Sequence, residues 1–210
     1  MQPGWRADAH MARGCRTGTG QAMEIERTSL SDVLLFTPKR HGDPRGYFCE
    51  VFRDDVFARN AGPVSFVQDN HSRSARKGTL RGLHYQKKPF AQGKLVRVTR
   101  GAILDVAVDI RHGSPTFGQH VAVELSEENG RQLWIPPGFL HGLCTLTDDT
   151  EVLYKVTAYY SGPHDAGVVW NDPDIGVPWP AMTEGYVLSP KDEAAPRLRD
   201  IGAQFHYGCV

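Results

Sequence analysis

Residues 94–111 read Lys94-Leu95-Val96-Arg97-Val98-Thr99-Arg100-Gly101-Ala102-Ile103-Leu104-Asp105-Val106-Ala107-Val108-Asp109-Ile110-Arg111. From Ala102 onward two rows interleave: Ala102, Leu104, Val106, Val108 and Ile110 on one parity, Ile103, Asp105, Ala107, Asp109 and Arg111 on the other. Successive side chains of a strand point to opposite faces, so this period of two predicts a strand whose faces differ. Val121-Ala122-Val123-Glu124-Leu125, Gln132-Leu133-Trp134-Ile135 and Glu151-Val152-Leu153-Tyr154-Lys155-Val156 repeat the pattern. Their spacing, about 8–12 residues or a little more, is the rhythm of sandwiches and barrels. Gly and Pro, 22 and 14 of the 210 residues, exceed their average share and favour short strands joined by turns. The fold class is therefore all-β, a closed or nearly closed antiparallel sheet.

The flanks keep the same grammar. Residues 23–36, MEIERTSLSDVLLF, supply β-favouring side chains. The turn formers of His41-Gly42-Asp43-Pro44-Arg45-Gly46 follow, and Tyr47-Phe48-Cys49-Glu50-Val51-Phe52 resumes an alternating run, which predicts a hairpin. Residues 54–60 begin with Asp54 and Asp55 and run into Ala61-Gly62-Pro63, the pattern of one short helix. Strand signals stop after Trp179-Pro180. Ser189-Pro190-Lys191-Asp192 then offers an N-cap, a proline at the first helical position and an acid in the first turn, predicting a C-terminal helix broken near Pro196. Residues 1–22 are polar and glycine-rich with no apolar run, so they are expected to form a disordered N-terminal extension before Met23, with residues 23–210 a single domain.

Composition excludes several function classes. Lys+Arg and Asp+Glu number 24 each, so the chain has no electrostatic footprint for coating nucleic acid or an anionic membrane, and an anionic ligand must be held by a local cluster. No apolar run approaches the roughly 20 residues needed to cross a bilayer. Cys15, Cys49, Cys144 and Cys209 are widely spaced with no C-x-x-C pair, which points to a reduced, cytoplasmic protein.

Two segments resemble the paired signatures of the cupin jelly roll, whose metal-binding members place ligands as G-x5-H-x-H, a glutamate in E-x6-G, and P-x-G-x2-H. Gly78 and His84 match the first half, and Pro136, Gly138 and His141 the second. Gln86 stands where a second histidine ligand would be, and Lys94, seven residues before Gly101, where the glutamate would be. An ammonium repels a divalent cation, and His84 and His141 alone are too few for a stable zinc or iron centre, so no metal is expected. The exchange of carboxylate for lysine suits an anion instead. Strict alternation would put Arg81 and His84 on opposite faces; a bulge at Gly82 would let both point inward.

The chain also resembles the dTDP-4-dehydrorhamnose 3,5-epimerase family. The matching residues are DPRGYF at 43–48, QDNHS at 68–72, LRGLHYQ at 80–86, KLVRVTRGAILDVAVDIR at 94–111, GSPTFG at 113–118, IPPGFLHG at 135–142 and WNDPDIGVPWP at 170–180. The resemblance implies a cofactor-independent homodimeric isomerase of jelly-roll fold, inverting C3 and C5 of dTDP-4-keto-6-deoxy-D-glucose. Both carbons flank the C4 ketone, so either C–H can be removed if a base reaches it and the enolate oxygen is stabilised. Carried over residue by residue, His84 resembles the base, Asp172 its orienting partner, Tyr154 the acid on the opposite ring face and Lys94 the cation near the enolate oxygen. Arg45 and Arg81 correspond to pyrophosphate-contacting arginines, while Glu50, Gln68, Asn70 and His141 match positions lining the site.

Plainer readings stand beside these. His141 either binds substrate or hydrogen-bonds inside the barrel. Tyr154 shares parity with Val152 and Val156 and reads without the resemblance as a core tyrosine. Asp172, in a turn-like Asn-Asp-Pro, is of a type that often caps its own backbone. Competing functions are a monofunctional 3- or 5-epimerase, a metal-dependent cupin enzyme, and a sugar-nucleotide binder without catalysis.

Overall fold

The computed structural model describes residues 23–208; the expected N-terminal extension, residues 1–22, lies outside them. In chain order the strands are β1 (Met23–Arg27), β2 (Leu34–Pro38), β3 (His41–Asp43), β4 (Gly46–Phe48), β5 (Gln68–Ser74), β6 (Leu80–Gln86), β7 (Lys94–Arg100), β8 (Ala102–Asp109), β9 (Arg111–His112), β10 (His120–Ser126), β11 (Gln132–Ile135), β12 (Phe139–Thr145), β13 (Thr150–Val156), β14 (Asp165–Gly167) and β15 (Phe205–His206). A six-stranded sheet runs β1-β2-β11-β7-β13-β5, and a five-stranded sheet runs β10-β8-β12-β6-β14. Their ladders are antiparallel, as the alternating runs predict. The fold is the all-β, cupin-like architecture expected from the sequence.

Apolar burial explains the layers. Leu35, Val96, Val98 and Val152 of the first sheet meet Ile103, Ala107, Leu125 and Phe139 of the second in one interior cluster. The outer face of the five-stranded sheet, with Leu104, Val106, Val108 and Ile110, is covered by Val168, Ile175, Leu198 and Phe205 from the C-terminal third. The outer face of the six-stranded sheet, with Leu34, Phe36 and Trp134, is covered by helix α1 (Asp54–Ala61), whose Phe57 ring lies 5.4 Å from Phe36 and 5.0 Å from Trp134. Burying a phenylalanine is worth about 1.5–3 kcal/mol, so α1 is held more by that one side chain than by propensity. β8 is therefore buried on both faces. Its more polar row, Ile103-Asp105-Ala107, faces the interior, while the purely apolar row lies under the C-terminal covering.

Two local expectations are adjusted. The alternating run at 47–52 forms a strand only over Gly46–Phe48, because β3 is three residues long and offers no further partner. The C-terminal helix α2 (Pro190–Glu193) forms as the caps predict, with Asp192 N–H donating to Ser189 Oγ at 3.2 Å, but is a single turn.

Candidate active site

A cavity of about 450 Å³ opens between the two sheets. One wall is the five-stranded sheet, where β6 contributes Arg81 and His84 and β12 contributes His141; the other is the six-stranded sheet, where β7 contributes Lys94 and β13 Tyr154. The segment from Val187 to Asp192 closes one side, joined to β6 by hydrogen bonds from Val187 N–H to the Gly78 carbonyl at 2.9 Å and from Leu80 N–H to the Val187 carbonyl at 3.0 Å.

Glycine places the two key residues of β6. The β6–β12 register shifts between His141 and Leu143, and Gly82 sits there at φ +127°, where a Cβ would lie 2.6 Å from Gly142 Cα and 2.8 Å from the His141 carbonyl oxygen. This irregularity brings Arg81 and His84 to the same cavity, as the bulge expected at Gly82 requires. Across the sheet, a Cβ on Gly167 would stand 2.7 Å from the Leu83 carbonyl oxygen and 3.4 Å from His84 Cδ2, so only glycine leaves room for the imidazole.

His84 Nε2 lies 2.5 Å from Asp192 Oδ1. A carboxylate only accepts, so Nε2 carries the hydrogen and Nδ1 keeps the lone pair that can take a proton. Burial of Asp192 works to raise its pKa, but the His84 hydrogen bond and charge, with Ser189 and the Gly82 backbone, outweigh this and hold the carboxyl below its ordinary value. Asp192 thus stays charged and can stabilise the imidazolium. The expectation that Asp172 orients His84 is corrected here. Asp172 is buried, and its two oxygens accept from Asp174 N–H at 2.9 Å and Leu198 N–H at 2.7 Å, tying down the C-terminal covering. Its backbone-capping reading is the one the geometry supports.

The remaining groups are tuned by enclosure. Burial lowers the Lys94 ammonium from 10.5 to about 8, against the pull of Asp165 and Asp105 and with Lys191 adding to the fall. Burial raises the Tyr154 hydroxyl, opposed by Arg81 and assisted by Asp165, so the phenol is protonated at neutral pH and able to donate. His141 Nε2 lies 2.7 Å from Asp105 Oδ1. Gln86, at the second cupin histidine position, is buried with its amide spent on the Phe90 and Tyr159 carbonyls and Ser161 N–H. Among the described residues no three His, Cys, Asp or Glu side chains are grouped to hold a metal.

Four expected site residues lie off this cavity. Arg45 is exposed on the β3–β4 hairpin and paired with Asp43. Glu50, in the segment after β4, is half-buried. On β5, Gln68 donates to Asn70 Oδ1 at 2.8 Å and accepts from Tyr160 N–H at 3.1 Å, beside the exposed Tyr159 and Tyr160 rings; Asn70 is the register partner of Tyr154. A wider groove of about 610 Å³, lined by Phe52, Phe66 and Lys155 among others, holds none of the acid–base groups of the cavity. Sequence reasoning missed Asp192, read only as a first-turn acid, and Asp105, read only as one row of a strand. It also missed Lys191, which lines the cavity and is paired with Asp165.

Comparison with known proteins agrees with this geometry. Residues 27–200 match the family model described as dTDP-4-dehydrorhamnose 3,5-epimerase. A protein of that name from Sinorhizobium fredii is 56% identical over 185 residues, 88% of this chain and 94% of its own. Another from Escherichia coli K12 is 54% identical over 180 residues, covering 85% and 96%. A crystal structure of dTDP-6-deoxy-D-glucose-3,5-epimerase from Legionella pneumophila, in complex with dTDP-4-keto-L-rhamnose, superposes with a TM-score of 0.85 at 47% identity, covering 88% of this chain and 98% of that one. A jelly-roll cavity that sets a histidine–carboxylate pair against a tyrosine, carried on a chain matched to these proteins over nearly its whole described length, is that of an isomerase belonging to the dTDP-4-dehydrorhamnose 3,5-epimerase family.

Proposed function

We propose that the protein inverts C3 and C5 of dTDP-4-keto-6-deoxy-D-glucose to give dTDP-4-keto-L-rhamnose, without a cofactor. The observation that carries this reading is the placement of His84 and Tyr154 on opposite walls of one cavity, with Lys94 on the tyrosine's sheet. Nδ1 of His84 takes the proton from the carbon next to the ketone, and Asp192 holds the imidazolium that forms. Lys94 stabilises the enolate oxygen, where a cation in an enclosed site is worth most as charge develops. Tyr154 returns a proton from the other ring face, inverting the centre. Arg81, at the cavity wall, suits the pyrophosphate through its planar fork. Tyr159 and Tyr160, held beside Gln68 and Asn70, offer aromatic faces for the thymine base.

Residues 23–210 act in this reading as one domain and the working form is a homodimer. Tyr47 and Phe48, 61% and 73% exposed, are large apolar groups on the hairpin that carries Arg45, and β5 ends its sheet with no further strand paired to it among the described residues. A second copy covering that hairpin would bring Arg45 and Glu50 to a substrate they do not approach within one chain. The free thiols of Cys49 and Cys144 suit a reducing, cytoplasmic setting.

Incubation with the 4-keto sugar nucleotide in D2O tests the chemistry: deuterium is expected at both C3 and C5, with formation of the L-rhamno product. Exchange at C3 alone would make the protein a monofunctional epimerase, and no exchange at either carbon would remove the epimerase reading. Sedimentation of the full chain tests the dimer, which Phe48→Glu should dissociate; a monomer in the unsubstituted protein would refute it.

A further inference from the structure

Asp105 sits in the interior-facing row of β8, flanked along that face by Ile103 and Ala107, and it is fully buried. A carboxylate in such a place needs hydrogen bonds and counter-charge to offset its desolvation. Oδ1 is answered by His141 Nε2 at 2.7 Å. Oδ2 is enclosed and has no hydrogen-bond partner among the described residues. A buried acceptor left in this way is rare and calls for a physical account.

Lys94 feels the attraction of Asp165 and Asp105 and the repulsion of Lys191. Asp165 is already engaged, accepting from Lys191 and from the Tyr160 hydroxyl. Asp192, the next carboxylate, is taken by His84. Asp105 differs from both in holding an enclosed oxygen that has no hydrogen-bond partner among the described residues. From the remaining elements around the cavity, Arg81 and His84 on β6 add positive or titratable character and Tyr154 on β13 a neutral phenol.

The same carboxylate decides what His141 presents. Its Nε2 must carry the hydrogen that Asp105 accepts, so Nδ1 holds the lone pair. Burial favours the neutral ring, as do the Lys94 and His84 charges, and these outweigh the opposing pull of Asp105. Nδ1 is bonded to no described residue and is not enclosed, so it opens on the cavity.

We propose that Asp105 is a positioning residue of this site. It locks His141 as the Nε2–H tautomer, so that His141 meets the sugar as an acceptor for a ring hydroxyl and not as a proton donor. Its charge, beside that of Asp165, is counter-charge that keeps the Lys94 ammonium protonated beside the ketone. The identity of the sugar rests on the epimerase reading; the tautomer and the lysine charge are properties of the free protein.

The experiment is a nitrogen-15 NMR titration of the free, histidine-labelled protein, with His141 assigned by its loss in His141→Gln. The expected result is a neutral His141 with its hydrogen on Nε2 from pH 7 to 9. A hydrogen on Nδ1, or an imidazolium at pH 7, overturns the proposal and needs no Asp105 variant to be seen. Carbon-13 titration of the Lys94 ε-methylene then compares wild type with Asp105→Asn, which keeps an oxygen for His141 but removes the charge. Lys94 should titrate about one pH unit lower in the variant, as expected on loss of a nearby opposite charge. The alkaline limb of kcat/KM should move down by the same amount. An unmoved Lys94 titration refutes the counter-charge role. Should the NMR results hold while the D2O exchange fails, the epimerase reading falls and the positioning of His141 and Lys94 stands.

Discussion

Asp192→Ala separates the pair seen here from the pair suggested by sequence position. The substitution removes a 2.5 Å hydrogen bond to His84 Nε2 from a carboxylate that is itself buried and charged. Hydrogen bonds to charged groups are worth about 1.5–3 kcal/mol, and each 1.36 kcal/mol is a factor of ten in rate. As the base, His84 becomes an imidazolium on taking the proton, so the loss falls on the transition state and kcat should drop roughly 10- to 150-fold, with KM little changed. Asp192→Asn should be at least as damaging, since an amide N–H donated to Nε2 would move the ring hydrogen to Nδ1, the atom that has to take the proton. The control is Asp172→Ala, which leaves Asp174 N–H and the buried Leu198 N–H without acceptors. It should cost about 1–3 kcal/mol of stability while the folded fraction turns over at the wild-type rate. Deuterium incorporation at C3 and C5 followed by proton NMR, beside thermal denaturation of each variant, reads both effects. The reasoning is refuted if Asp192→Ala stays within twofold of wild type, or if Asp172→Ala loses turnover with its melting temperature intact.

Three further outcomes follow from the same geometry. Tyr154→Phe removes the donor on the wall opposite His84, so the substrate should still exchange a proton for deuterium while inversion falls by about 10²–10⁴-fold; unchanged epimer formation would exclude Tyr154 as the acid. Gly167→Ala drives a Cβ to 2.7 Å from the Leu83 carbonyl oxygen and 3.4 Å from His84, an overpacking worth about 1–3 kcal/mol, so both melting temperature and kcat should fall; a stable and fully active variant would show that the strand has room. With Lys94 at about 8, kcat/KM should decline as pH rises through that value, because the ammonium is lost; a flat profile to pH 9.5 would remove Lys94 from enolate stabilisation. Its contribution to stability runs the other way: between about 8 and 10.5 the unfolded chain binds the proton that the folded one has released, so this group's burial cost is present below 8 and fades as pH rises.

The period-two rows at 102–111, the hairpin punctuation at 41–48 and the Ser189-Pro190 cap were legible because they are local: each depends on residues within a few positions along the chain. His84, Lys94, Tyr154, Arg81 and His141 were legible through motif resemblance, and the structure brings all five to one cavity. Asp192 was not, because it reaches His84 from 108 positions away on a single helical turn whose sequence is fully explained by capping. Arg45, Glu50, Gln68 and Asn70 share family motifs with the cavity residues but not the cavity of this one chain.

The deepest division concerns β8. Alternation alone determined that Leu104, Val106 and Val108 lie on one face and Asp105 on the other, since a strand's geometry allows nothing else. Which face is the interior was decided by the tertiary structure. The C-terminal third covers the apolar row, which leaves the row containing Asp105 to face the interior between the two sheets. A strand buried on both sides carries no solvent side for its sequence to mark, and for the same reason the acid that holds His141 could be recognised only once the sheets were closed.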